Sequence, residues 1–423
     1  MKRFPFTASF PSDGEDAVAP RGEVAIAARP DLLARLAHAH ANRAQHDLLR
    51  RLRTVSGVDA TRIVVDGNAL RNFASNDYLG LAQHPALRAA AVAAIARWGV
   101  GATAAHLLGG HRDEHAALEE KLARWTGRER ALLFSTGYMA NLGVLGALLG
   151  DGDLCVQDKL NHASLLDGAR LSGAQFKRFA HADVAAAQRQ LESRHGAAAL
   201  LASDGVFSMD GDIAPLPALA ALCKTQHATL LIDDAHGIGV LGSDGAGSLQ
   251  QAGLQQDDVP VLMATLGKAL GVGGAFVAGS AALIDGLVQF ARPYVYTTAM
   301  PPALAAAASA AVDVARFEPW RRDKLRRLIG HFRHGAAERG IALLDSPTPI
   351  QPVLIGRSDA ALHAAQHLES AGFYVPAIRP PTVPDGKARL RVTLSAAHEE
   401  ADVEALLNAL ARAIGATRKV GGV

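Results

Sequence analysis

VLMATLGKALGVGGAFVAG, residues 261–279, contains a single charged side chain, Lys268. Two short apolar runs flank this lysine, and each is typical of a buried strand. A buried ammonium with no acid beside it in the sequence is costly, and burial lowers its pKa. Lys268 is therefore either a side chain that reaches the surface or a nucleophile that works as a neutral amine.

The composition is that of an ordinary globular protein of two or three domains, with 423 residues, 49% apolar and 20% charged. Lys and Arg number 43 against 41 Asp and Glu, and this net charge of +2 implies no nucleic-acid partner. The two cysteines, Cys155 and Cys223, favour a reducing compartment. No run is typical of a membrane span or a targeting segment, so we expect no membrane partner and a cytoplasmic location.

Helices and strands alternate along the chain from about residue 85 onward. The strands are short apolar runs that end in turn residues, which predicts an α/β fold with a mainly parallel sheet covered on both faces. The runs are ALLFSTG, DLCVQD, QFKRFA, ALLASDG, TLLIDDAHG, VLMATLGK and GAFVAG. Ligands of such a sheet bind beyond the carboxyl ends of its strands. The polar strand ends are Asp204, Asp233, Asp234 and Thr265.

The chain is predicted to divide into four parts. A hairpin around Asp66 and Gly67 precedes the alternating region, and an Ala-rich helix near residues 302–316 precedes a second, smaller α/β pattern. The predicted parts are a disordered extension over 1–29, a segment over 30–75 that packs with the small domain, a large domain over 76–315 and a small C-terminal α/β domain over 316–423.

Three further patterns are each compatible with another kind of site. The glycines of HGIGVLG, residues 236–242, form GxGxxG after a strand, but no helix opens there to receive a pyrophosphate. His111, Glu114 and His115 match the HxxEH pattern of zinc peptidases, although such short patterns recur by chance. The basic run Arg321–Arg333 has helical spacing, which favours a solvated helix face over a nucleic-acid patch.

A strand that ends in Asp233 and a downstream strand that ends just before Lys268 suit pyridoxal 5'-phosphate. This cofactor bonds covalently to a lysine and needs a carboxylate against its pyridine nitrogen. Upstream, FSTGYMAN supplies a strand, a turn at Gly137 and Tyr138, and a helix start that can bind the phosphate. Asp233 alone could equally be a structural strand-end acid, and Lys268 alone could reach the surface.

Taken together, these segments resemble the α-oxoamine synthases over about residues 31–415. The resemblance is carried by STGYMAN, NHASLLDGARLSGA, DGVFSMDGDIAPL, DDAHGIGVLG and TLGKALGVGGA. It implies a fold-type-I pyridoxal-phosphate-dependent transferase, in which a large domain with a mainly parallel seven-stranded sheet joins a smaller C-terminal α/β domain. It also implies an acyltransferase that condenses an amino acid with an acyl thioester and releases carbon dioxide.

The C-terminal string AIRPPTVPDGKARLRVTLSAAHE is similar to that of the family members that act in biotin biosynthesis. This likeness implies L-alanine and a pimeloyl thioester as substrates, with the acyl group carried on coenzyme A (pimeloyl-CoA) or on acyl carrier protein (pimeloyl-ACP). Members that use glycine or serine share the core motifs. The family also implies a homodimer with shared active sites.

The resemblance assigns site residues one by one. Lys268 would bond the cofactor and move the proton at the α-carbon, Asp233 would pair with the pyridine nitrogen, and His162 would stack on the ring. The other implied cofactor contacts are Gly137, Tyr138, Ser208, His236 and Thr265, with Thr297 and Thr298 reaching the partner subunit's phosphate. The implied substrate contacts are Arg50, Asn76, His162, Arg379, Thr382 and Arg391.

Three functional hypotheses therefore remain from the sequence. The first is the pyridoxal-phosphate-dependent acyltransferase, for which no metal is expected. The second is a zinc peptidase built on His111, Glu114 and His115. The third is an α/β binding protein without catalytic activity, and it is weakened because each cofactor position holds a competent side chain.

Overall fold

The computed structural model describes residues 29–45, 48–56 and 59–420. The predicted disordered extension therefore lies outside the described residues, apart from its last residue. The chain divides into two compact units, residues 1–51 and 52–423. In the first unit, helix α1 (Leu32–Gln45) begins after Asp31, whose carboxylate accepts a hydrogen bond from the Leu33 N–H at 2.8 Å. None of the α1 side chains is buried.

The second unit contains the sheets and the remaining helices. Its strands are β1 (Val55–Ser56), β2 (Arg62–Val65), β3 (Asn68–Asn72), β4 (Arg130–Phe134), β5 (Leu154–Asp158), β6 (Gln175–Phe179), β7 (Ala199–Asp204), β8 (Thr229–Asp233), β9 (Val261–Thr265), β10 (Ala275–Gly279), β11 (Ile350–Gly356), β12 (Phe373–Tyr374), β13 (Ala377–Ile378) and β14 (Ala388–Thr393). Its helices are α2 (Pro85–Trp98), α3 (Asp113–Thr126), α4 (Gly137–Leu148), α5 (Ala163–Ser172), α6 (Val184–Leu191), α7 (Leu216–Thr225), α8 (Ser248–Gln251), α9 (Ala281–Phe290), α10 (Arg292–Val295), α11 (Pro302–Phe317), α12 (Trp320–Glu338), α13 (Ser358–Ser370) and α14 (Glu400–Val420), with a 3₁₀ turn at His106–Leu108.

The largest sheet confirms the predicted α/β fold. Its strand order is β4-β10-β9-β8-β7-β5-β6. Strands β5 to β9 pair in parallel, whereas β10 runs antiparallel to both β9 and β4. The register aligns Asp204 with Asp233 and Asp233 with Met263, so the carboxyl ends of β7, β8 and β9 meet at one edge of the sheet. The polar residues that end these strands are thereby brought together.

Two smaller sheets complete the second unit. One has the order β11-β14-β13, and the other, β1-β2-β3-β12, contains the predicted hairpin at Asp66 and Gly67. In the latter, β12 pairs in parallel with β3. This pairing connects a segment near the C-terminal end of the chain to the hairpin near its N-terminal end. Arg53 and Glu369 reinforce this junction with an ion pair at 2.7 Å. The boundaries of the predicted domains at residues 75 and 315 stay a prediction.

The basic run on α12 corrects one expectation. Arg322 is buried and donates to the carbonyl oxygens of Ala315 and Ser243. Arg321 donates to the Leu79 carbonyl at 3.1 Å, and Arg333 donates to the Ser346 carbonyl at 2.9 Å. The prediction of a solvated face is wrong for these three side chains, because their guanidinium groups donate to backbone carbonyl groups of other segments.

The turn between β9 and β10 carries Lys268 and packs closely against another segment. Gly271 has a φ of +67° and donates its N–H to the Lys268 carbonyl at 2.8 Å. A Cβ at this position would lie 2.4 Å from the backbone nitrogen of Ala82. Only glycine therefore fits this position without displacing the backbone.

We predict that Gly271→Ala lowers the free energy of unfolding by about 2–4 kcal/mol, because it combines left-handed strain with a backbone clash. Urea denaturation measures this loss. Gly286→Ala is the matched control: Gly286 lies within α9, where no atom would approach its Cβ within 4 Å. That control should stabilise the protein by about 0.5–1 kcal/mol. Equal effects of the two substitutions would contradict this packing.

Candidate active site

A cavity of about 200 Å³ opens at the carboxyl ends of β7, β8 and β9 and is bounded by the starts of α4 and α5. It brings together the predicted residues Gly137, Tyr138, His162, Ser208, Asp233, His236, Thr265 and Lys268. Five segments of the second unit contribute these residues, and the parallel strands place them at one edge of the sheet. We call this space the cofactor cavity.

Lys268 pairs with a neutral imidazole and not with an acid. Its Nζ lies 2.9 Å from Nε2 of His236. Burial lowers the pKa of Lys268 despite the opposing charges of Asp233 and Asp204. Burial also holds the pKa of His236 well below its usual range, with the Lys268 charge as a second cause. The His236 ring is therefore uncharged, and its Nε2 can accept a hydrogen bond from the amine.

The other ring nitrogen of His236 fixes its orientation through Tyr78. Nδ1 of His236 lies 2.7 Å from the Tyr78 hydroxyl, which donates to Oδ1 of Asn76 at 3.1 Å. Because Nε2 faces the lysine as an acceptor, Nδ1 carries the ring proton and donates it to Tyr78. Tyr78 is fully buried. A chain of hydrogen bonds thus runs from Lys268 through His236 and Tyr78 to Asn76.

Arg391 meets this chain at its far end. Both terminal nitrogens of Arg391 lie 3.3 Å from Oδ1 of Asn76, and its Nε donates to the Ser208 carbonyl at 2.7 Å. Arg391 belongs to β14 and is buried. The guanidinium is therefore held in one plane, an arrangement suited to bidentate binding of a carboxylate.

A second network joins Asp233 to His162. The side-chain amide of Asn141 donates to Oδ2 of Asp233 and to Oγ of Ser164, both at 2.8 Å. Oγ of Ser164 lies 2.7 Å from Nδ1 of His162, and the Ser164 N–H also donates to that nitrogen, at 3.3 Å. Nδ1 of His162 is thus an acceptor, and the neutral ring carries its proton on Nε2. Burial lowers the pKa of His162, which favours this neutral form.

The two acids of the cavity have different environments. Asp233 is buried, and besides Asn141 its carboxylate accepts the Ala235 N–H at 3.1 Å. Asp204 is also buried, and its pKa is raised well above the usual range, first by burial and then by the neighbouring charge of Asp233. Burial and the neighbouring charge of Asp233 thus both disfavour the ionised form of Asp204.

The start of α4 forms the anion-binding end of the cavity. Thr136 caps this helix by accepting the Met139 N–H at 3.2 Å, and the first N–H groups, at Gly137 and Tyr138, have no partner within the helix. Such N–H groups bind phosphate well. Thr265 lines the same cavity, and its hydroxyl donates to the Gly274 carbonyl at 3.0 Å.

The donor set of the cavity therefore fits pyridoxal 5'-phosphate. It offers a helix start for a phosphate, a buried carboxylate for a pyridine nitrogen and a lysine whose pKa is lowered. Asp233 is held in place by Asn141 and by the Ala235 N–H, and it is the carboxylate that can face the pyridine nitrogen.

Comparison with known proteins agrees with this geometry. The family model for aminotransferase class I and II matches residues 69–410. An 8-amino-7-oxononanoate synthase of Pseudomonas putida is 57% identical over 381 residues, which cover 90% of this chain and 96% of that relative. The chain belongs to the class I and II aminotransferase family, on the branch of the 8-amino-7-oxononanoate synthases. The resemblance predicted from the sequence is thus confirmed.

Solved structures of this family show the same fold. A serine palmitoyltransferase solved with pyridoxal phosphate is similar with a TM-score of 0.88 at 29% identity, over 92% of this chain and all of that one (100%). The 8-amino-7-oxononanoate synthase from Francisella tularensis gives a TM-score of 0.73 at 28% identity, over 82% of this chain and 99% of that one. The predicted fold-type-I architecture with its seven-stranded sheet is confirmed.

Asn76, Arg391 and the remaining predicted site residues do not line the cofactor cavity. Arg50 is exposed in the first unit. Thr297 and Thr298 follow α10, and the backbone of Thr298 bridges to Ala105. Thr382 lines a second, larger cavity, whereas Arg379 is half-buried and lines neither of these two cavities. The roles of these side chains stay predictions.

The zinc-peptidase pattern does not form an open metal site. Nδ1 of His115 accepts the Arg112 N–H at 2.9 Å, and its Nε2 lies 2.8 Å from the Met300 carbonyl oxygen. Both ring nitrogens are therefore occupied by backbone groups. His111 instead contacts His106, with 3.0 Å between their Nδ1 atoms. Within residues 29–45, 48–56 and 59–420, no group of three or more His, Cys, Asp or Glu side chains could hold a metal ion.

The first glycine of the GxGxxG pattern has a packing explanation. A Cβ on Gly237 would lie 2.0 Å from a carboxylate oxygen of Asp234. Gly247, a few residues later, has the same 2.0 Å approach to the other oxygen. Asp234 is fully buried and accepts the Ser248 N–H at 2.7 Å. Gly237 and Gly247 thus make room for the buried side chain of Asp234. Burial raises the pKa of Asp234 to about 7.

Sequence reasoning missed three residues that organise the site: Tyr78, Asn141 and Ser164. Tyr78 and Ser164 stand within SNDYLGL and NHAS, two strings that supplied other site residues. Asn141 stands one turn into α4, at the end of STGYMAN, the string that supplied Gly137 and Tyr138. All three are fully buried or nearly so, and a buried polar side chain needs partners.

His181 clamps two of the cavity loops together. Its Nδ1 lies 3.1 Å from Oδ1 of Asp158, and its Nε2 lies 2.9 Å from Oδ2 of Asp212. Asp158 ends β5 just before His162, and Asp212 belongs to the turn that carries Ser208. Burial alone would lower the pKa of His181, but the hydrogen bonds to both carboxylates raise it to about 10.

We predict that this clamp makes stability depend on pH. The folded-state pKa of about 10 lies above the unfolded value of about 6.5, so the stabilisation is complete below pH 6.5 and disappears as the pH rises through 10. The melting temperatures of wild type and His181→Gln should therefore differ at pH 6 and converge towards pH 10. The exposed His195, changed to Gln, is the control and should melt like wild type at each pH. A difference that stayed constant across this range would contradict the clamp.

Proposed function

We propose that the chain condenses L-alanine with a pimeloyl thioester, giving 8-amino-7-oxononanoate, carbon dioxide and the free thiol carrier in biotin biosynthesis. The geometric observation that carries this proposal is the neutral pairing of Lys268 with His236 at 2.9 Å, in the same cavity as Asp233. The identity of 57% over nearly the whole length of an 8-amino-7-oxononanoate synthase supports this reaction over those of glycine-using and serine-using relatives.

The cofactor of this reaction is pyridoxal 5'-phosphate. Lys268 would bond it, Asp233 would hold its pyridine nitrogen protonated, and the N–H groups of Gly137 and Tyr138 would bind its phosphate, with Thr265 beside them. When bound, the cofactor supplies an electron sink for negative charge at the α-carbon of alanine. Ser208 and His236 line the same cavity and are placed to contact the ring.

Lys268 serves as the base and acid of the reaction. A general base must be neutral before it accepts a proton, and burial lowers the pKa of this amine. His236 orients the amine through its acceptor nitrogen without adding charge. Lys268 can therefore remove the proton from the alanine α-carbon and return it after carbon dioxide has left.

Arg391 and His162 bind the substrate groups. Arg391 presents both terminal nitrogens in the plane fixed by Asn76, which suits the carboxylate of L-alanine. His162 keeps a proton on Nε2, which can donate a hydrogen bond to the carbonyl oxygen of the thioester. These assignments rest on the hydrogen bonds that fix each side chain.

We further propose a homodimer in the cytoplasm, with Thr297 and Thr298 contributing to the partner's phosphate site. Arg50, Arg379 and Thr382 would contact substrate, as the family resemblance implies.

The unpaired thiols of Cys155 and Cys223 are compatible with a reducing compartment. Among the described residues no helix is both long and apolar enough to cross a membrane.

We predict that Lys268→Ala lowers turnover of L-alanine and pimeloyl-CoA by at least about 10³-fold, because it removes both the covalent bond and the proton-transfer group. Product formation and the visible absorbance of the protein with pyridoxal phosphate are the two readouts. Wild type should show a visible band that shifts more readily with L-alanine than with glycine or L-serine, and the variant should lack the band. Lys224→Ala, at an exposed lysine on α7, should match wild type.

Unchanged turnover in Lys268→Ala would refute the role of the lysine. A wild-type band that shifts with glycine or L-serine instead of L-alanine would keep the family chemistry and refute the proposed substrate.

A further inference from the structure

A second cavity, of about 750 Å³, adjoins the cofactor cavity and shares His162 and Ser208 with it. Its walls come from the segment after β5, from β6, from the turn after β7 and from residues 381–389. The volume is in the range of small-molecule sites. We call it the basic cavity, because its charged lining is predominantly cationic.

The cations of the basic cavity outnumber its acids. Its charged side chains are Lys159, Arg178, Asp210, Lys387 and Arg389. Arg389 is buried and forms an ion pair with Asp210. Lys159, Arg178 and Lys387 form no ion pair with any residue in the described part of the chain, so three positive charges remain unbalanced around one cavity.

Hydrogen bonds to backbone carbonyl groups fix the segments that carry these cations. The Arg178 guanidinium donates to the Lys159 carbonyl, which ties β6 to the segment after β5. On the opposite segment, Nε of Arg389 donates to the Lys387 carbonyl at 3.1 Å. The cations thus come from two separate regions of the sequence and face a common space.

The position of the charges indicates which substrate group they bind. Lys159, Arg178 and Lys387 are all exposed, whereas Phe207 and Val383 line the same cavity as buried apolar side chains. An acyl thioester has two arms: an acyl chain that ends in a carboxylate, and a pantetheine arm whose phosphate continues into the carrier. Exposed cations fit a phosphate that must stay connected to a carrier in solvent, and three of them suit a group with more than one negative charge.

We propose that Lys159, Arg178 and Lys387 bind the phosphate of the acyl donor's pantetheine arm, and that the basic cavity holds this arm. The inference rests on the proposed function, since it assigns a binding site to one substrate of that reaction. Coenzyme A and acyl carrier protein both present this phosphate. The cavity leads from it to His162, where the thioester has to react.

The test compares two acyl donors that differ by one phosphate: pimeloyl-4'-phosphopantetheine and pimeloyl-pantetheine. KM and kcat are measured for wild type, for Lys159→Gln/Lys387→Gln and for Arg178→Gln. With the phosphorylated donor, each variant should raise KM about tenfold at unchanged kcat, because each loses charge-assisted hydrogen bonds. With pimeloyl-pantetheine, the variants should match wild type.

Lys177→Gln is the matched control, since Lys177 is the neighbour of Arg178 on β6 and points to the opposite face of the sheet. It should leave both KM values unchanged. Equal loss with both donors would overturn the proposal, because the cations would then act on the acyl arm. Unchanged KM in all variants would also overturn it.

Calorimetric titration with 4'-phosphopantetheine and with pantetheine separates this inference from the proposed function. Wild type should bind the phosphorylated compound more tightly, and the variants should lose that difference. Equal affinity of wild type for the two compounds would overturn the phosphate site even if turnover were observed. Tighter binding of the phosphorylated compound without turnover would support the site and refute the proposed reaction.

Discussion

The hydrogen bond between the Lys268 amine and the neutral His236 ring is the interaction on which the rest of the site depends. A carboxylate in the place of His236 would favour the charged lysine, because an opposite charge raises a lysine's pKa. The imidazole orients the amine without adding charge, and burial then lowers the pKa of Lys268. Tyr78 and Asn76 in turn hold the ring in the tautomer that accepts this bond.

The parallel sheet places this pair next to the groups that it requires. Asp204 and Asp233 are neighbours in register at the ends of β7 and β8, and burial together with the charge of Asp233 raises the pKa of Asp204. Asn141 connects that charge to Ser164 and thereby to His162. The site is thus two hydrogen-bonded networks that share one edge of a sheet.

Much of this arrangement was predictable because its signals are local. Strands buried on both faces are continuous apolar runs, so the seven-stranded sheet could be predicted from the sequence. Lys268 stood out because it is the only charge in its segment. The partnership of Tyr78 with His236 spans 158 residues, and no periodicity relates such distant positions. The basic run on α12 was assigned to solvent because the sequence does not reveal which carbonyl groups Arg321, Arg322 and Arg333 will meet.

The most direct test of this account is the pKa of Lys268 itself, measured by nitrogen-15 NMR titration of lysine-labelled, cofactor-free protein. The spectrum of Lys268→Met identifies the resonance. The account predicts a pKa clearly below the ordinary lysine value of about 10.4, because the buried amine pairs with an uncharged imidazole. A pKa at or above that ordinary value would contradict it.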